Sequence, residues 1–289
     1  MINLSRRRII TTIIPRARWG LCTAMIAFLS VFASAAVSAD ETCDATCLAK
    51  KAQDPLADVK AIMTDNAIAF GAADSDTAYS FQIQPVYSIQ TGAGFNIIPR
   101  AVIPIVGVPA SAGIPKLGAG LTPQTGTTWG LSDTIAQLFF TPQADASIKF
   151  GVGPQVSLRT RTNERAAGPG WGAGLAGILF GNAGPLAYGA IAHHHWGQDN
   201  FSLTSLQPIL MYNFESIPGL YAGYNNTVTY NWSAKAGERW QVPLGAMVGK
   251  TIPIGGGKAL DLNLGAYGMV AKPTGGADAE ARFSINLFF

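Results

Sequence analysis

Three consecutive histidines, His193-His194-His195, are the first residues in this chain that could do chemistry. On a strand His193 and His195 share one face, with Cβ atoms about 7 Å apart, a spacing that holds one metal ion only if a third ligand joins them. His194 would lie on the opposite face with Tyr188, Ala190, Ala192 and Trp196. A hydrolytic site would need a nucleophile, a base within reach and a group that orients the base. A Ser-His pair two apart on one strand face would meet that need, but two beyond the histidines stand His195, Trp196 and Gly197. Ser202 and Ser205 follow on the next segment, so a cross-strand pairing stays open. The spacing predicts neither a metal centre nor an enzyme, and no cofactor.

Cys43 and Cys47 lie one helical turn apart, a spacing suited to a local disulfide in an oxidising compartment. Only Asp44 stands beside them, too few ligands for a zinc site. Gly255-Gly256-Gly257-Lys258 lacks the spacing of a phosphate-cradling loop and reads as a turn. The remaining candidates are charges. By strand parity Arg100, Lys149, Arg159, Arg239, Asp261 and Arg282 should share one face with the polar residues, and Asp133 should lie beside them.

What positions them is a run of alternating segments. Tyr79 to Gln90, Ile148 to Arg159, Arg239 to Val248 and Leu260 to Tyr267 each alternate apolar and polar residues. Gly-, Pro-, Asp- and Asn-rich breaks separate them, and beyond residue 60 no apolar run approaches the ~20 residues of a membrane helix. With 13% charged residues and 33 glycines, the pattern favours a transmembrane β-barrel over a soluble sandwich. Twelve strands are predicted, near 62–72, 79–90, 94–106, 129–141, 147–158, 171–180, 186–196, 201–213, 220–232, 238–250, 258–270 and 280–289. This all-β, single antiparallel barrel puts its two longest links, 107–128 and 159–170, at the end where long loops belong. The inward charges would then line a narrow lumen, as a constriction or as paired groups. Trp129, Trp171, Trp196, Tyr230, Trp232 and Trp240 are expected at the outer interface, and Phe139, Phe140, Phe214, Phe288 and Phe289 at the inner one.

The last strand closes the reading. Phe283, Ile285, Leu287 and Phe289 fall on one face and the chain stops on an aromatic, the form of an outer-membrane assembly signal; Phe288 breaks the alternation. At the other end, residues 1–39 combine five arginines with an uncharged run from Trp19 to Ala39 and the small residues Val37-Ser38-Ala39. That is the pattern of a secretory signal peptide. Residues 40–60 follow as a polar periplasmic segment with a short helix, and 61–289 as the barrel. Residues 1–39 hold no acid, so the rest has 15 Lys+Arg against 17 Asp+Glu, and the formal charge falls from +3 to −2. The basicity belongs to the export segment and gives no support for nucleic-acid binding.

Several segments resemble one bacterial family. They are Leu206-Gln207-Pro208, Tyr212-Asn213-Phe214, Gly237 to Gly245 with its Arg239-Trp240-Gln241-Val242-Pro243-Leu244-Gly245 core, and Asp261 to Tyr267. The chain is similar over about Leu48 to Phe289 to the outer-membrane barrels grouped as "phenol degradation MetA pathway"-like or transporter proteins, many labelled neuromedin U. The resemblance implies an outer-membrane channel for small, hydrophobic or aromatic molecules, with no catalytic residues to carry over. The cysteine pair and the histidine run depart from that pattern. The expected partners are outer-membrane lipid, the barrel-assembly machinery and small solutes, and the location the outer membrane after signal-directed export. A plugged structural or adhesive barrel, or a hydrolase, would be the competing readings.

Overall fold

A computed structural model describes residues 44–73, 75–110, 126–143 and 146–289. The signal-peptide expectation, Cys43 and most of the 107–128 link lie outside them.

Fifteen strand segments form one antiparallel sheet that closes on itself. They are β1 (Lys60–Ala72), β2 (Asp76–Tyr87), β3 (Ile89–Gln90), β4 (Phe95–Pro109), β5 (Thr127–Leu131), β6 (Thr134–Pro142), β7 (Ile148–Leu158), β8 (Gly172–Ala183), β9 (Leu186–Trp196), β10 (Ser202–Asn213), β11 (Leu220–Asn225), β12 (Val228–Asn231), β13 (Trp240–Gly255), β14 (Lys258–Ala271) and β15 (Ala279–Phe288). Three pairs are halves of single staves: β2 with β3, β5 with β6, and β11 with β12, each half pairing with the same neighbour. The barrel therefore has twelve staves, closed where β1 pairs with β15, from Ala61↔Phe288 to Phe70↔Ala279. Each of the three interruptions carries a buried polar residue, Ser88, Asp133 or Asn226.

The pleat decides which side chains face out. Leu175, Leu244, Leu264 and Val270 are each about 60% exposed on the outer surface, with Val152 and Ile285 close behind. Their in-plane neighbours Gly174, Gly245 and Asn263 face inward. An apolar exterior around a closed ladder is what lipid requires, because no backbone polar group is left at an edge. Tight turns set the register at the end where β1 starts and β15 finishes, the inner end. Gly256 and Gly257 have φ of +60° and +69° between the paired residues Gly255 and Lys258, so the triple-glycine segment is a two-residue hairpin turn.

The chain ahead of β1 does not hang free. Helix α1 (Ala45–Gln53) is capped by Asp44, whose side chain accepts from Cys47 N at 2.8 Å, and Lys50 and Lys51 sit in its last turn, where the helix dipole favours cations. Ala49 and Leu56 are buried, and Leu48, Ala52 and Val59 pack against the barrel's interior cluster. The expected periplasmic segment is thus seated in the inner mouth.

Candidate functional site

Apolar and polar residues line the lumen together. Ile98, Phe139, Ile178, Ile191, Met211 and Phe288 share one apolar cluster and border a cavity of about 130 Å³. Gln53, Asp54 and Pro55 of the N-terminal segment help to line that cavity. Phe139 and Phe288, expected at a lipid interface, are almost fully buried here. The break in alternation at Phe288 is the reason: on β15 the even-numbered residues face inward, so Phe288 joins the apolar floor while Ile285 faces out. Phe140 keeps the outward position.

The N-terminal segment is held by three kinds of contact. Lys149 Nζ reaches Asp54 Oδ2 at 2.7 Å, and the Asp54 side chain is nearly buried. Gln53 and Asn213 exchange amide hydrogen bonds of 2.9 and 3.1 Å. Leu56 lies over Gly151, where an added Cβ would come within 2.7 Å of Leu56 Cδ2. Lys149 is therefore on the lumen side but is committed to the segment that closes it. Cys47, on α1, is in a disulfide.

Charged and polar residues line the same cavity and the lumen around it. Arg282 clasps Asp65 through both carboxylate oxygens, with Glu280 Oε1 at 3.5 Å. Asn226 donates to Glu280 and accepts from Arg282. Arg100 Nη2 donates to Gln84 Oε1 at 2.5 Å. Asp261, nearer the inner end, accepts from Tyr221 and Thr251 and, at 3.2 Å, from Asn286. These charges are mutually satisfied to different degrees, as expected of groups held out of bulk water.

Asp133, Arg159 and Arg239 sit at the outer end. Asp133 is buried at the interruption between β5 and β6, where Arg161 grips both its oxygens and the backbone N–H groups of Gly168 and Gly170 donate to it. It anchors the segment after β7, not a conduit. Arg159 pairs with Glu164 at 2.7 Å on the surface, a partner that raises its already high pKa. The Arg239 guanidinium donates to Ala234 O and Tyr230 Oη, on the aromatic side of the hairpin, and so does not enter the lumen. Both arginines lie just outside the paired ladder, where strand parity no longer governs direction. The outer tryptophans 129, 171, 196, 232 and 240 are each about half exposed, and Tyr230 packs edge-on against Trp232 and Trp240.

The histidines split as the pleat dictates. His194 faces out, hydrogen-bonded to Thr204 at 2.7 Å and packed on Trp196. His193 and His195 face in, opposite Ala176 and Gly174 of β8. His195 Nε2 lies 2.8 Å from Ser157 Oγ, both residues buried. Nothing local in the sequence signals that contact: Ser157 is on β7, His195 on β9, and Gly172 and Gly174 of the intervening strand leave the space across which they meet. His195 Nδ1 has no hydrogen-bond partner among the described residues, so the pair lacks the orienting third group of a hydrolytic triad. No group of three or more His, Cys, Asp or Glu among the described residues is placed to hold a metal ion.

The sequence matches no protein-family model and no curated protein. The fold does have solved counterparts. The barrel is similar to the COG4313 outer membrane channel from Pseudomonas putida F1, 14% identical, over 80% of this chain and 96% of that one, with a TM-score of 0.54. Weaker superpositions are found with outer membrane phospholipase A from Escherichia coli (12% identity, 85% and 98% coverage, TM-score 0.44) and with CdiB from Acinetobacter baumannii (12%, 81% and 60%, 0.32). At these identities the likeness is one of fold, and that fold is the outer-membrane barrel.

Proposed function

We propose that this chain is an outer-membrane channel for the passive passage of small hydrophobic or aromatic molecules. The observation that carries the reading is a large apolar cluster inside the barrel, which borders a cavity that polar groups also line and that the chain's own N-terminal segment helps to close. A conduit for ions or sugars would be polar throughout. The apolar cluster instead gives a molecule that partitions out of water a favourable surface along part of its path. No energy source is needed if transfer follows the concentration gradient. The resemblance to the "phenol degradation MetA pathway"-like barrels agrees in solute class.

Residues 1–39 would direct export, after which the closing strand, with Phe283, Ile285, Leu287 and Phe289 on one face, would be the element read by the barrel-assembly machinery. Deleting Phe289 should then lower the yield of heat-modifiable barrel in cells, and wild-type yield would count against that role. The channel reading is tested by stopped-flow entry of 1-naphthol into vesicles with a lipopolysaccharide outer leaflet. Several-fold faster entry with protein supports it, and a rate equal to protein-free vesicles overturns it. The contact between Ser157 and His195 favours one second reading, a hydrolase in the lumen. Ester turnover by the refolded barrel that disappears in Ser157→Ala would support it.

A further inference from the structure

One stretch of the polar lining is not satisfied by its own neighbours. Arg100 on β4 stands in register beside Gln137 on β6, and Gln137 beside Gln155 on β7. Gln155 Nε2 donates to His194 O at 3.2 Å, so Gln155 Oε1 must accept from Gln137 Nε2, which it does at 2.9 Å. That chain of bonds fixes the amide orientation and leaves Gln137 Oε1 buried without a donor. Arg100 Nε, His193 Nδ1 and His195 Nδ1 are likewise shielded from solvent with no partner among the described residues. Four orphaned polar atoms thus lie along one strip of the lumen wall. A buried polar atom left so is costly, and each therefore calls for a partner.

The charge on this strip is also unmatched. Arg100 forms no ion pair among the described residues, and its one hydrogen bond goes to a neutral amide. Asp65 acts on it electrostatically, but its oxygens are taken by Arg282. Glu280 lies with Arg282, and Asp261 is enclosed by Tyr221, Thr251 and Asn286. Ser157, bonded to His195 Nε2, can supply the hydrogen of that contact, which leaves Nδ1 carrying its own hydrogen and pointing to an acceptor. The strip therefore presents one guanidinium, the Nδ1–H of His195 and the unpartnered Nδ1 of His193, a set that can meet a planar anion.

One step closer to the inner end on the same strands come Ile98, Phe139 and Ile191, which border the cavity that Arg100 also lines. We propose that Arg100, Gln137, His193 and His195 form a binding site for the carboxylate head of a small amphiphilic acid, whose apolar body occupies the cavity beneath. Gln137 Oε1, an acceptor, then takes its hydrogen bond from a water beside the carboxylate. This inference rests on the channel reading and deepens it: the preferred solute is an acid with an apolar body, not a neutral hydrocarbon.

The test uses the refolded barrel in lipid nanodiscs, titrated calorimetrically with hexanoate, hexanol and hexylammonium against empty discs. Hexanoate is expected to bind at least tenfold tighter than the other two. Arg100→Gln should remove that preference, while Lys250→Gln, which deletes a surface cation bonded to Pro218 O, should leave it intact. Equal affinity for the three probes means that the strip is satisfied by water alone and overturns the proposal. So does a preference that survives Arg100→Gln. If that variant does not fold, the three-probe comparison on the unaltered chain decides. Hexanoate preference without naphthol entry sinks the channel reading and keeps the site. Entry without the preference does the reverse.

Discussion

The contact of Leu56 with Gly151 offers a quantitative handle on how the inner mouth is closed. Leu56 is 3% exposed, and truncation to alanine removes the three carbons that lie on β7. Losing that burial should weaken docking of the N-terminal segment by about 2 kcal/mol. Every 1.4 kcal/mol is a factor of ten, so the undocked fraction should rise about thirtyfold. Gly151→Ala attacks the same contact from the wall, because its new methyl would stand 2.7 Å from Leu56 Cδ2. Leu56 Cδ2 is the free end of a flexible side chain and can give way, so the cost should be about 1 kcal/mol, the low end for overpacking. The two changes are not independent. With Leu56 already shortened the methyl at 151 has room, so the double variant should be milder than the two effects added, by a coupling of about 1 kcal/mol. Open-state occupancy in planar bilayers measures all three variants. Unchanged occupancy in both single variants, from protein shown to be folded, would refute the claim that this segment closes the barrel. Strict additivity would refute the claim that the two residues share one contact.

Leu264→Arg, on the lipid face, should cost about 2–4 kcal/mol, whereas Asn263→Arg, which lines the cavity, should cost less. Chemical unfolding in lipid compares the two, and equal costs would contradict the assigned faces. Asp133→Ala strands Arg161 and the Gly168 and Gly170 N–H groups, at about 3–5 kcal/mol for a broken buried pair. Trypsin should then cut after Arg161 or Arg165 faster than in the unaltered chain, and equal rates would remove Asp133 as the anchor. Glu238, hydrogen-bonded to the Thr274 hydroxyl and N–H, has its pKa lowered by those bonds. A lowered folded-state pKa gives a contribution that is present above the ordinary carboxylate range and lost as pH falls through the lowered value. The clasp between the two outer hairpins should therefore loosen on acidification, seen as faster quenching of Trp240, and Glu238→Gln should flatten that pH profile.

Much of the barrel was legible because lipid imposes a period of two on every stave. The twelve strands, the outward Leu264 and the inward His193 and His195 follow from alternation and turn residues alone. What alternation could not convey is what fills the inside. Phe139 and Phe288 read as interface aromatics because an apolar residue at a strand end looks the same whichever way it faces. The seated N-terminal segment left no periodic trace, since Leu56 finds its place through a glycine nearly a hundred residues away. Parity does not reach Arg159 and Arg239, which lie past the last ladder pair, where loop partners such as Glu164 and Ala234 set direction instead. The contact between Ser157 and His195 depends on two side chains that β8 lacks, and the absence of a side chain is not a motif.

The measurement that bears most directly on the account is single-channel recording of the refolded chain, with the N-terminal segment intact and with the chain begun at Val59. Brief, small openings are expected of the intact chain, and longer, larger ones once the segment is gone. Silence from both, in protein whose heat-modifiable mobility shows a folded barrel, would contradict a conduit closed by its own N-terminus.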